Sequence, residues 1–236
     1  MTPKKLFSNN NKYDKMIIDV LSNNHEALEN IAIGYKSNDF KKVFKWYKFA
    51  ADNGSNKAMY NIGLFYKNGE GVNKNIDLAL HWFKRAAYLG NIEAIYNLID
   101  YYENIDSMKA LEWYYLGASF DDDTLMFHIG NFYYYGYERN LFNESLKLET
   151  KSNSVESCDK NIIISKDINQ AVRWYNKAAD KGNTNAMLHI GILHAKGFFG
   201  KENYQEAIKW FKKSADGDNS NARAALAYCY ENGYGC

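Results

Sequence analysis

Histidines, cysteines, a Ser-x-x-Lys pair and glycine-rich turns are the places where this chain of 236 residues could do chemistry. Zinc would need Cys or His at ligand spacing, and neither Cys-x-x-Cys nor His-Glu-x-x-His occurs. His189 and His194 stand five apart, on different faces of a helix. Ser157-Cys-Asp-Lys160 has the spacing of a serine nucleophile and its lysine base, but the Ser-Asp-Asn and Lys-Thr-Gly companions of that chemistry are missing. Gly69-Glu-Gly71 has no third glycine and follows no strand, so it reads as a helix end rather than a phosphate cradle. Cys229 and Cys236 read as a core-filling thiol and a chain end. Asp121-Asp122-Asp123 opens a helix, where its charge suits the macrodipole. Hydrolysis is the reaction class these residues raise, and no converging nucleophile, base and oxyanion donors accompany it. The expectation is a protein that is not an enzyme and has no metal and no cofactor.

The histidines belong to a repeat. Trp46, Trp82, Trp113, Trp174 and Trp210 are spaced 36, 31, 61 and 36 residues apart. Each is followed by an aromatic (Tyr47, Phe83, Tyr114, Tyr175, Phe211) and, five residues on, by Ala51, Ala87, Ala118, Ala179 and Ala215. Twelve residues on stand Ala58, Ala94, Leu125, Ala186 and Ala222; five beyond those come Gly63, Ile99, Gly130, Gly191 and Ala227. Three further lie Tyr66, Tyr102, Tyr133, His194 and Tyr230. His128 and His189 occupy a slot that holds Asn61 and Asn97 elsewhere, so they are register residues. Ala27, Ala32 and Tyr35 repeat the pattern once more, before the first tryptophan.

These spacings predict two helices per unit, a tryptophan helix followed by an Ala/Gly helix. Gly54, Gly90 and Gly182 fall just after the first, where a residue with positive φ closes it. The one proline, Pro3, forbids no helix downstream. The predicted fold is all-α: an α/α superhelical solenoid of antiparallel helix pairs, with the tryptophans as structural positions in its seams.

Gly69-Glu-Gly-Val72 followed by Asp77 to Ala87 and Gly90, and again Asp167 to Ala179 followed by Gly182 and Ala186, resemble the Sel-one-like repeat (SLR), a relative of the tetratricopeptide repeat. The resemblance covers roughly residues 25–236. It implies a right-handed superhelix of helix pairs serving as a protein-binding scaffold. A cysteine-rich bacterial branch of that family carries Cys where this chain has Ala87 and Ala94, and is therefore set aside. The many Asn, Lys, Ile and Tyr beside four Arg suit an AT-rich genome, such as those of the amoebal giant viruses that also encode such repeats. Two departures stand out. The unit around Trp113 is short and has Ile99 in the glycine slot; the stretch from Gly136 to Ala171 is 25 residues longer than its counterparts, an inserted loop at about 138–165.

Twenty-nine Lys and Arg against 28 Asp and Glu leave a net charge of +1, so no bulk charge draws the chain to nucleic acid or to an anionic membrane. No apolar run approaches the length of about 20 residues that spans a bilayer, and three cysteines are too few for a disulfide framework. A cytoplasmic location is expected (the host cytoplasm, if viral). The expected organisation is a polar tail at 1–11 and one solenoid domain of five to six helix pairs at 12–236. The surface candidate is a stripe beside the tryptophans: Lys45 and Lys48; His81, Lys84 and Arg85; Arg173, Asn176 and Lys177; Lys209, Lys212 and Lys213. Glu112, Tyr115 and Leu116 break it in the third unit. Such a stripe either forms a basic groove for an acidic peptide or is a solvated face whose cations suit helix C-terminal halves. The functional expectation is a scaffold or adaptor that presents a concave repeat surface to a protein or acidic peptide. The alternative is a self-assembling structural protein, associating through its C-terminal repeat.

Overall fold

The computed structural model describes residues 40–138 and 162–234. In chain order these form α1 (Phe40–Asp52), α2 (Asn56–Asn68), α3 (Ile76–Tyr88), α4 (Ile92–Glu103), α5 (Ser107–Ser119), α6 (Asp123–Tyr135), β1 (Tyr137–Glu138), β2 (Ile162–Ile164), α7 (Ile168–Asp180), α8 (Thr184–Ala195), α9 (Tyr204–Asp216) and α10 (Ser220–Glu231). The polar tail, the degenerate first unit, residues 139–161 of the inserted loop with the Ser157-to-Lys160 motif, Cys236 and the side chain of Trp46 lie outside the described residues. The chain divides into two compact units, one ending at Leu98 and one starting at Ile99, the residue that replaces glycine in its slot.

Helices of 12 or 13 residues are marginal alone and depend on packing. From α2 onward, each is started by a short polar side chain. Ser55, Asn75, Asp106, Asp122, Asp167, Asn183, Asn203 and Asn219 accept a hydrogen bond from the N–H three residues on, which satisfies a donor the helix leaves open. Gly54, Gly90 and Gly182 have the positive φ expected after the tryptophan helices. Asp121 (φ 66°) and Asp218 (φ 65°) hold the same place in the units without that glycine. Within the Asp121–Asp123 run, therefore, Asp122 is the cap and Asp121 the left-handed turn.

The tightest pairs are α2 with α3, α6 with α7, and α8 with α9. The predicted unit placed the tryptophan helix first; in the structure the Ala/Gly helix leads and the tryptophan helix closes the pair. The contact that fixes this is one knob in one hole. A Cβ at Gly63 would stand 2.4 Å from the Phe83 ring, at Gly130 2.6 Å from Tyr175, and at Gly191 2.5 Å from Phe211. The aromatic that follows Trp82, Trp174 and Trp210 thus fills the seam. Trp82 and Trp113 are buried, whereas Trp174 and Trp210 are half-buried at the edge of their seams.

The insertion leaves this geometry untouched. Asn75 N–H donates to the Tyr66 carbonyl (2.9 Å), Asn203 N–H to that of His194 (3.0 Å), and Asp167 N–H to that of Tyr133 (2.8 Å), although the insertion separates the last pair. His194 can stand in a tyrosine slot because the slot acts through its backbone. The ends of the insertion pair as strands, Tyr137 opposite Ile164 and Glu138 opposite Ile162, and Ile164 is buried. Ile162–Ile164 thus forms a strand at the loop's base.

Candidate interaction site

In the first unit, two cations stand over the Trp82 ring: Lys48 Nζ is 4.8 Å from the ring centroid and the Arg85 guanidinium 4.5 Å. His81 meets the same indole edge-on at 5.8 Å. Lys48 also pairs with Asp52. Lys45 is exposed and Lys84 half-buried.

In the second unit the arrangement recurs. Lys177 Nζ stands 4.2 Å above Trp174, and Lys213 Nζ 4.4 Å above Trp210. These cations sit three residues after their tryptophan, so the helix repeat carries each ammonium back over the ring. Placed there, an ammonium is held by the ring quadrupole, worth roughly 0.5–1 kcal/mol at an exposed site. Arg173, Asn176, Lys209 and Lys212 are exposed; Lys209 pairs with Glu206 at 2.8 Å, and Lys212 approaches the Tyr230 ring at 6.0 Å. The structure thus brings Lys48, Arg85, Lys177 and Lys213 over tryptophan rings, a juxtaposition that the residue types alone did not reveal.

Where Tyr115 and Leu116 interrupt the stripe, the surface opens into a cleft of about 510 Å³ whose lining includes Tyr115, Met126, Trp174, Lys177, Asp180 and Lys181. Tyr115 shares a hydrogen bond with Tyr133 (hydroxyl to hydroxyl, 3.1 Å) and packs against Trp174 at 5.8 Å. Burial and that hydrogen bond push its hydroxyl pKa far above the usual tyrosine value, so it stays neutral. Lys181 is neutralised by Asp121 at 2.8 Å.

His128 and His189 are packing residues. His189 is ringed by Tyr175 (5.2 Å), Phe127 (5.3 Å) and Tyr134 (6.3 Å), and His128 by Tyr114 and Phe127. Burial holds both below the ordinary imidazole value, with Lys196 adding to the effect at His189. Burial likewise lowers His194 and raises the Cys229 thiol. Among the described residues no three His, Cys, Asp or Glu side chains could hold a metal ion, and no helix is long and apolar enough to cross a membrane.

A profile of the Sel1 repeat matches residues 33–55, 56–91, 102–119, 162–183, 184–219 and 220–236. Its boundaries at 56–91 and 184–219 enclose α2 with α3 and α8 with α9, the pairs joined by the glycine holes. A Sel1 repeat protein from Oxalobacter formigenes is similar in structure at 29% identity and a TM-score of 0.60, over 89% of this chain and 79% of that one. A protective antigen of uropathogenic Escherichia coli with an SLR fold is similar at 25% identity and a TM-score of 0.68, over 96% of this chain and 45% of that one. No curated protein matches the chain significantly.

Proposed function

The chain belongs to the Sel1 repeat family, and from that premise we propose that it is a non-catalytic scaffold that binds a protein or acidic peptide along its tryptophan helices, in the cytoplasm. The observation that carries this reading is the recurrence of one built feature, a tryptophan with a cation held over its ring, on α3, α7 and α9. A repeated element that holds exposed charge in fixed geometry lowers the ordering cost a partner must overcome. Electrostatic complementarity then sets the choice of partner and the on-rate. The buried free thiol of Cys229 is compatible with a reducing compartment.

The test is affinity capture with the parent chain and with a Lys84→Glu, Lys212→Glu double variant, at low and moderate salt. The partner should be held by the parent, released as salt rises, and lost from the variant while its thermal melt is unchanged. Equal capture by both proteins would remove the stripe as the binding face.

A second reading, self-association, draws on α10. Ala227 occupies the slot that Phe211 fills at Gly191, yet it is exposed, and Tyr228 and Tyr230 beside it are 59% and 50% exposed. Light scattering across a concentration series distinguishes a monomer from a stacked assembly.

A further inference from the structure

The cleft in the second unit lies where the repeat departs from its own pattern. Tyr115 stands two residues after Trp113, a position that holds Lys48, Lys84, Asn176 and Lys212 in the other units. The Tyr115 ring is half-buried there and is not left loose: its hydroxyl is tied to Tyr133 and its ring packs against Trp174 in a T-shaped contact. The result is a wall of two held rings, with Met126 beside it. Such a wall suits an apolar or aromatic side chain, since rigid aromatics supply contact area at low entropic cost.

The charge around the wall has a direction. Arg173, Lys177 and Lys181 follow one another at intervals of four along α7 and into its C-cap, so they form one ridge on the flank of the cleft. Asp121 cancels Lys181, and Asp180 stands one residue round from the ridge. Arg173 and Lys177 have no ion pair among the described residues, and Lys177 is poised over Trp174, at the mouth of the cleft. Two uncancelled cations against one carboxylate leave the rim positive. The position of Lys177 is one from which an ammonium can meet a carboxylate without leaving the indole.

We propose that this cleft is a peptide-docking subsite, which takes an aromatic side chain against the wall formed by Tyr115 and Trp174 while Arg173 and Lys177 pair with acidic residues flanking that side chain. The proposal rests on the protein-binding reading above and narrows it to one partner chemistry, an acidic segment with a single aromatic anchor.

Three unlabelled peptides test it by isothermal titration calorimetry: acetyl-Glu-Glu-Phe-Glu-Glu-amide, its alanine-centred counterpart, and acetyl-Lys-Lys-Phe-Lys-Lys-amide. The acidic phenylalanine peptide should bind at least tenfold more tightly than either of the others. Lys177→Glu should reduce that binding at least tenfold. Tyr115→Lys, which restores the residue type found in three other units, should do the same with an unchanged melt. Tyr115→Phe keeps the ring and should retain most of the affinity, so a variant that merely misfolds is told apart from one that has lost its wall. Equal binding of the alanine peptide would overturn the anchor, and equal binding of the lysine peptide the charge preference. Failure of all three up to about 1 mM would overturn the subsite. If a captured partner then survives Tyr115→Lys but not the stripe reversals, the scaffold reading stands and the cleft alone falls.

Discussion

In three of the described helix pairs, the residue that holds the pair shut is the aromatic after the tryptophan, seated on a glycine. Gly191 leaves no room for a Cβ, which would meet the Phe211 ring at 2.5 Å and the Ala207 carbonyl at 3.2 Å. Gly191→Ala is therefore expected to destabilise the fold by roughly 1–3 kcal/mol through overpacking. Phe211→Leu, made together with it, should return part of that loss, and a double-mutant cycle in urea would measure the coupling. Additive losses would show that ring and glycine do not form one joint. The histidine slots make a second prediction. Burial keeps His189 and His128 less protonated in the fold than in the unfolded chain. The unfolded chain thus binds more protons below the ordinary value of about 6.5, so stability is complete above that pH and falls as pH drops below it. Melting temperature should decline on acidification, and His189→Asn should flatten part of the decline. Asparagine fits the slot: Asn61 and Asn97 there donate to the carbonyl four residues back. An unchanged slope in that variant would place the acid sensitivity elsewhere.

At the scale of the helix, the caps join one repeat to the next. Asn183 accepts from Ala186 N–H at 2.8 Å and donates its amide to Asp123 at 2.8 Å, while Asn219 does the same for α10 and reaches Asn185. Asn203 caps α9 from an exposed position. Both substitutions to Ala should cost about 1 kcal/mol for the lost cap, with Asn183→Ala dearer because it also leaves Asp123 without its donor. Equal losses in a urea titration would mean that the contact between repeats contributes nothing. Replacing residues 139–161 by a short Gly/Ser linker should leave the melt close to that of the parent, because Tyr133, Asp167 and the strand pairing lie outside the exchanged segment and closure entropy varies slowly with length. These elements also show what could be read from the chain and what could not. The repeat was legible because the same side chains return at fixed intervals. Its phase was not, since a period fits a tryptophan-first unit as well as a glycine-first one until the Gly63–Phe83 contact decides between them. The left-handed turns at Asp121 and Asp218 escaped notice because such a turn announces itself by glycine. The cleft escaped because Tyr115 read as a gap in a basic stripe, and a gap becomes a wall only when Trp174, 59 residues on, is seen beside it.

Across the whole molecule, stability in a repeat fold is close to a sum of units and nearest-neighbour seams. The two compact units, to Leu98 and from Ile99, each hold a knob of the same kind: Phe83 on Gly63 in one, Phe211 on Gly191 in the other. Removing either ring leaves a cavity in its own seam, at a cost of about 3–5 kcal/mol. The two losses share no partner, so the double variant should lose their sum within about 0.5 kcal/mol. Hydrogen exchange reads the same question locally. Phe211→Ala should raise exchange through α8 and α9 while α2 and α3 keep their protection, and Phe83→Ala should do the reverse. Matching loss of protection in both units from a single substitution would show one cooperative block, in which the replacement of glycine by Ile99 marks no energetic division.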